Sequence, residues 1–248
     1  MVTNDDGVSA RGIEALARTA SQFGDVIVVA PDSPQSAKSS ALTVNAPLYI
    51  TPHHPCGQAK VYSVNGTPVD CVKLGMYALF SSRRPDLILS GINHGSNAAV
   101  NNIYSGTMGA VMEGCILGIP SVGFSLLDHN PEACLDPVLP MVSEVIGRVL
   151  SSGLPQGVCL NVNFPAGCLP EGLKVVRAAA GRWTEEYATM STPSGKPFYW
   201  LTGRFQNDEP DNPDTDEYWL SRRCATVVPV RPDQTAADAI DEIKRLFV

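Results

Sequence analysis

Met1–Gly7 reads MVTNDDG, an apolar pair followed by four turn formers, two of them adjacent carboxylates. Val2 and Thr3 favour a strand, whereas Asn4, Asp5, Asp6 and Gly7 favour a turn. Helical spacing begins almost at once, with Ile13, Leu16, Ala17, Ala20 and Phe23 in register and Gly24 closing the run. The order is strand, tight turn, helix. In an open α/β sheet, ligands sit just beyond the carboxyl ends of the strands, beside helix N-termini. Two carboxylates side by side at such a place repel each other unless something cationic lies between them. Oxygen ligands with no Cys or His nearby suit Mg²⁺ or Mn²⁺ rather than zinc. The alternative is a solvated Asx turn that caps the helix. Only Met1–Thr3 precede the turn, against about 5–6 residues in an ordinary strand, so a first strand cut short, by trimming or a misplaced start, is expected.

Further along, Asp25–Ala30 (DVIVVA) is an unbroken apolar run, as in a strand covered on both faces. It opens into a loop of small polar residues, Ser33 to Ser40, placed by the same geometry beside Asp5 and Asp6. Leu42–Ile50 and Lys60–Val64 read as strands joined by a surface loop rich in Pro, His and Gly. Thr67, Pro68 and Asp70 then give a helix start, with Thr67 as N-cap and Val69, Val72, Met76, Leu79 and Phe80 as its apolar stripe. Asp86–Ser90 is the next buried strand.

Ser90–Gly109 follows it with four asparagines, three serines, a threonine and four glycines in twenty residues. Glycines let a backbone approach a ligand, and short amides and hydroxyls bind phosphate without adding charge. Ser105, Gly106 and Thr107 begin a helix running to Leu117, whose free N–H groups make an anion site. Asn93 offers a side-chain oxygen to a metal. His94 is either a proton donor to a leaving group or simply exposed. Connections this long are usually functional. Pro120–Ser125 and Val158–Phe164 complete the strands, and between them Asp136–Pro137 caps a helix carrying Val138, Met141, Val142, Val145, Ile146 and Val149. This alternation predicts an α/β fold, a parallel sheet with helices on both faces.

After Leu173 the pattern changes. Lys174–Ala179, Phe198–Phe205 and Cys224–Val230 read as strands, Asn207–Glu217 as a solvated acidic loop, and Thr235–Phe247 as a closing helix. Trp183, Tyr187, Tyr199 and Trp200 on such an arm dock either on another subunit or on their own.

The whole chain has 248 residues, 44% hydrophobic, with a net charge of −7. That size suits one domain, or one with an appendage, and the acidic balance argues against nucleic-acid duplex or membrane binding. No apolar run has the length of a membrane span, and no signal peptide is expected ahead of the first strand. Seven scattered cysteines without a C-x-x-C pair indicate reduced thiols, no structural zinc and a cytoplasmic location. The nucleophile elbow, the P-loop and the dinucleotide glycine fingerprint are all missing. Metal-assisted hydrolysis of a phosphate ester fits best, with attack on phosphorus by either a water held by the metal or Asp6 itself.

Five ordered motifs resemble the SurE family, the stationary-phase survival nucleotidases: TNDDG at Thr3–Gly7, APDxxxS at Ala30–Ser36, GTPxDCVK at Gly66–Lys73, SGINxGxN at Ser90–Asn97 and YSGTxGAxxEG at Tyr104–Gly114. Arg182–Trp183, the run Pro193–Trp200 and DTD at Asp214–Asp216 extend the likeness nearly end to end. The resemblance implies a three-layer α/β/α Rossmann-like sheet with an extended C-terminal β-hairpin arm. In domain terms it implies a single unit over 1–248: a core of about 1–170 plus the helix 235–247, and an oligomerisation arm over about 173–232. It also implies a 5′-nucleotidase, a nucleoside monophosphate phosphohydrolase often active on 3′-nucleotides and sometimes on polyphosphate. One divalent cation per subunit, Mg²⁺ or Mn²⁺, would be held by Asp5, Asp6, Ser36 and Asn93. Asp5 and Asp6 are the catalytic pair, and Asn4, Gly7, Ser90, Gly91, Asn97, Ser105, Gly106 and Thr107 are the expected phosphate and substrate contacts. The resemblance further implies a homodimer or homotetramer built through the arm. It departs in the missing residues ahead of the first strand, in AKSS at Ala37–Ser40 where members often carry glycine, and at His94, a position that varies. Two rivals stand beside this reading. A nucleotide-binding sensor without turnover explains the glycines but not the paired carboxylates. A phosphatase with an aspartyl nucleophile wants an acid two residues on, where Gly7 or Val8 stands.

Overall fold

The apolar runs anticipated above assemble into a nine-stranded central sheet in a computed structural model that describes residues 1–247. The chain runs β1 (Val2–Thr3), α1 (Arg11–Ala20), β2 (Ile27–Pro31), β3 (Ile50–Cys56), β4 (Ala59–Val64), α2 (Pro68–Ala78), β5 (Ile88–His94), α3 (Asn101–Tyr104) and α4 (Gly106–Ile116). It continues with β6 (Ser121–Leu126), α5 (Leu139–Ser152), β7 (Cys159–Phe164), β8 (Leu173–Val175), β9 (Gly181–Thr184), β10 (Tyr187–Ser191), β11 (Pro197–Leu201) and β12 (Arg204–Asn207). The last elements are α6 (Asp216–Leu220), β13 (Ala225–Val230), a short 3-10 turn (Ala237–Ala239) and α7 (Ile240–Lys244).

The strand order is β3-β4-β2-β1-β5-β6-β7-β13-β8. From β4 to β7 every pairing is parallel. The period of two along each strand splits the core between the two faces. Val28, Ala30, Leu89 and Phe124 pack with α1 and α5, while Val29 and Ile88 pack with α2 and α4. These are three layers, helix on sheet on helix. The rings of Phe124 and Phe164 stack with centroids 6.3 Å apart in the centre of the first layer. Each such ring contributes about 1.5–3 kcal/mol by leaving water.

The helix grammar at Thr67 is realised as a capping box, in which the Thr67 side chain accepts from Asp70 N and the Asp70 carboxylate accepts from Thr67 N. At α5 the expected cap is absent. The helix starts two residues later than Asp136–Pro137 suggested, with Val138 at the N-cap and no side-chain cap.

Four further differences matter. The Pro/His stretch read as a loop is β3, an antiparallel edge strand on β4, where Pro52 and Pro55 are tolerated because an edge strand has one unpaired side. Residues 42–49, read as strand, are instead tied by side chains, with Thr43 N–H on Asp70 and Tyr49 N–H on Asn65 Oδ1. The arm is shorter than 173–232, because β8 and β13 join the central sheet beside β7. That leaves two separate ribbons, β9 with β12 and β10 with β11. Finally, the C-terminal helix does not pack on the core: α7 contacts chiefly the 3-10 turn before it, and Ile240, Ile243 and Phe247 are exposed. Among the described residues all seven cysteines are free thiols, and no helix is long and apolar enough to cross a membrane.

Candidate active site

β1 ends in the centre of the sheet, between β2 and β5, and delivers Asp5 and Asp6 to its carboxyl edge. The turn that holds them is closed by Asn4, whose amide donates to Gly7 O at 3.0 Å and whose Oδ1 accepts from Gly7 N at 3.2 Å. Asn4 and the Gly7 N–H, expected as phosphate contacts, are therefore spent on shaping the turn.

The two carboxylates are held differently. Asp5 is buried and its Oδ1 accepts the hydroxyl of Thr107, from the first turn of α4. Asp6 is only half-buried, and its Oδ2 accepts the backbone N–H of His94 at 3.2 Å. Burial first, and the neighbouring Asp6 charge as well, push the Asp5 carboxyl up to about 6 against the hydrogen bond from Thr107. Burial raises Asp6 too, opposed by the His94 N–H. Among the described residues no Lys, Arg or His forms an ion pair with either.

α4 comes up against this pair because residue 106 is glycine. A Cβ there would stand 2.9 Å from Asp5 Cβ, so a side chain would be forced into the carboxylate. Ser105 caps the helix through Oγ, accepting Met108 N–H at 3.0 Å. The N–H groups of Gly106 and Thr107 are those that a helix start leaves without an intrahelical partner. The Thr107 side chain serves Asp5 rather than a phosphate, and Ser105 serves the cap.

The serine loop reaches the same place. Gln35 N–H donates to Asp5 O at 2.7 Å, which sets Ser36, exposed, beside the pair. Further on, Ser39 N–H donates to Tyr104 O at 3.0 Å and Ser39 Oγ to Ile103 O at 2.7 Å. Gly109 of α4 has no room for a Cβ because the Ser39 carbonyl lies against it. Within this span Ala37 and Ser39 both adopt left-handed backbone, at φ 58° and 50°, a conformation that glycine takes at less cost.

β5 supplies the remaining residues, and it runs farther than Ser90, to His94, through an irregular register with β6 between Ser90 and Asn93. Asn93 donates its amide to Gly95 O at 2.8 Å, which commits Nδ2 and leaves Oδ1 as the side chain's neutral oxygen donor. Ser90 is fully buried and a Cβ at Gly91 would overlap the Phe124 carbonyl, so both lie behind the site rather than in contact with a substrate. Asn97 is likewise internal, with its backbone N–H on Asn163 Oδ1, its amide on Ser125 Oγ and its carbonyl receiving Asn161 Nδ2. The ring nitrogens of His94 are buried without a partner, and burial lowers its pKa.

Three positioning residues escaped the sequence reading. Asn161 and Asn163 hold the Asn97 turn, and the signal was available: two amides at i and i+2 in an otherwise apolar buried strand. Asp216, read as part of a solvated loop, is fully buried and accepts from Ala99 N and Ala179 N at 2.8 Å each.

The donor set suits a hard divalent cation. Asp5 and Asp6 carry the charge, with Asn93 Oδ1 and Ser36 Oγ as neutral oxygens. The observation that favours a cation is the acidic pair itself, pushed toward neutrality by burial and lacking a cationic side chain. Among the described residues no group of three or more His, Cys, Asp or Glu is placed to hold a metal, so neutral oxygens would have to complete any such shell.

Comparison with known proteins bears on the chain as a whole. A family model described as survival protein SurE matches residues 1–185. The chain is similar to the 5′-nucleotidase SurE of Flavobacterium psychrophilum, 46% identical over 98% of this chain and 95% of that one. It is similar to the 5′-nucleotidase SurE of Bacteroides thetaiotaomicron at 43% identity, over 98% and 93% of the two chains. The crystal structure of the SurE protein from Aquifex aeolicus superposes with a TM-score of 0.86 at 34% identity, covering 100% of this chain and 98% of that one.

Proposed function

The chain belongs to the SurE family, and from that premise we propose that it is a divalent-metal-dependent nucleoside monophosphate phosphohydrolase, a 5′-nucleotidase. The single observation that carries the metal-dependent part is the Asp5–Asp6 pair, one carboxylate buried and the other half-buried, set at the centre of the sheet's carboxyl edge with no ion-pair partner among the described residues.

Asp5, Asp6, Ser36 and Asn93 are the residues that would hold the cation, Mg²⁺ or Mn²⁺, one per subunit. When bound, such an ion polarises a phosphoryl oxygen and offsets the charge that develops on it. The chain's own residues do the rest. Thr107 fixes the Asp5 carboxylate and the His94 N–H fixes that of Asp6. The first N–H groups of α4 would receive the negative phosphoryl group, since the helix dipole favours an anion there. The serine loop, tied at Gln35 and Ser39, closes the other side.

Oligomerisation through the arm belongs to the same proposal. Among the described residues the β10–β11 ribbon pairs with no other strand, and it exposes Tyr187, Tyr199 and Trp200; a two-stranded ribbon is marginal on its own. A second copy of the chain is the partner we assign to it, giving a homodimer or homotetramer. The whole chain is taken as one functional unit working in the cytoplasm on soluble nucleotides; 3′-nucleotides and short polyphosphate are further substrates to assay.

Release of phosphate from AMP and GMP with Mg²⁺ or Mn²⁺ tests the reading. Turnover with either metal supports it. Binding of AMP that persists in chelator, with no phosphate released under any metal, would establish the sensor instead.

A further inference from the structure

Two large apolar side chains just ahead of α4 are exposed, Ile103 to 56% and Tyr104 to 52%. Exposure by itself is ordinary. What sets these two apart is that the backbone beneath them is fixed from both ends. Ser39 donates to both of their carbonyls, at 2.7 and 3.0 Å. Trp183 Nε1 donates to Asn101 Oδ1 at 2.9 Å, at the start of the same short helix α3. The indole is itself held edge-on by Phe205 across the β9–β12 ribbon.

Tyr104 also lies at a telling distance along the chain. Gly106 packs directly on Asp5, and Tyr104 is two residues before it, within about 7 Å of backbone reach. That is the span a ribose bridges between the phosphate and the base of a nucleotide. An exposed aromatic ring on a tethered backbone is a platform for any nucleobase, because every base presents a π-face.

We propose that Tyr104, with Ile103 beside it, is the platform on which the substrate's nucleobase stacks; this rests on the phosphohydrolase reading above and adds a base subsite to it. Stacking by itself gives little discrimination among bases. It does separate nucleotides from phosphate esters that have no base.

The test compares AMP with ribose 5-phosphate in the presence of Mg²⁺, for the unmutated chain, Tyr104→Ala and Tyr104→Phe. Tyr104→Ala is expected to raise KM for AMP about tenfold, or 1.4 kcal/mol, with kcat little changed, the pattern of lost uniform binding. Its KM for ribose 5-phosphate should stay where it was, and Tyr104→Phe should behave as the unmutated chain on both. Equal losses on the two esters would overturn the platform and make Tyr104 a positioning residue of α3. An unchanged KM for AMP would overturn it as well. An unmutated chain that releases phosphate from neither ester would instead sink the phosphohydrolase reading, and the platform with it.

Discussion

Asp5 and Asp6 are neighbours in sequence that the fold treats differently, and that difference gives testable behaviour. Asp6 is half-buried and touches the protein through one backbone N–H. Asp6→Asn should therefore lower phosphate release by at least about 100-fold, the scale for losing one group that stabilises transition-state charge, while the urea midpoint stays or rises. Near-normal turnover in this variant would remove Asp6 from the metal site. Ser36→Ala should cost less, since water can take a ligand position on Mg²⁺; an equal loss in the two variants would mean that Ser36 does more than ligate. Thr107 acts through Asp5. Thr107→Val leaves a buried carboxylate without its donor, for about 1–3 kcal/mol of stability, and Thr107→Ser should restore most of it in the same denaturation series. The strand-end position of the acidic pair was legible from residue types and spacing, and β1 carries it there; Ser36 and Asn93 stay proposed ligands. Asn4, Ser90 and Asn97 were assigned to the substrate because amides and hydroxyls look alike whether they face a ligand or the chain's own backbone. Only the hydrogen-bond partners separate the two uses.

Elements with a clear period were read well, and those ruled by tertiary context were not. The buried strands and the Thr67 helix follow from apolar runs and capping chemistry that act locally. β3 escaped because its prolines signal a loop, whereas at a sheet edge the donors they lack are not needed. The acidic run 207–217 was misread for the converse reason. Six acidic residues suggest a solvated loop, yet the fold buries Asp216 against three backbone N–H groups and starts α6 there. α6 also carries a pH-dependent cost. Burial first, and the Asp216 charge second, push the Glu217 carboxyl up to about 7 from 4.5. Below about pH 4.5 the group is protonated in folded and unfolded chains alike, and it costs nothing. As pH rises from 4.5 to about 7 the unfolded chain ionises before the folded one, so stability falls across that interval and levels off above it. Glu217→Gln should therefore match the unmutated chain at pH 4 and exceed it at pH 8, by on the order of 1–3 kcal/mol. Thermal unfolding at the two pH values decides it, and equal stability at pH 8 would refute the assignment.

For the whole molecule, the sheet has spare surface rather than spare chemistry. The β10–β11 ribbon and the C-terminal segment with α7 leave Tyr187, Tyr199, Trp200, Ile243 and Phe247 exposed, and exposed apolar patches mark interaction surfaces. Removing the ribbon over 187–201 and joining its ends with a short Gly-Ser turn should lower the mass seen by light scattering without loss of the folded core. An unchanged mass would move the subunit contact to another face. The central claim, that a cation at Asp5 and Asp6 turns this sheet edge into a phosphohydrolase, is tested most directly by one preparation assayed for phosphate release from AMP. It would be measured first as prepared, then in excess EDTA, and then after Mg²⁺ or Mn²⁺ is restored. The account predicts release that stops with the chelator and returns with the metal. Release that continues undiminished in EDTA, or none at any stage, would contradict it.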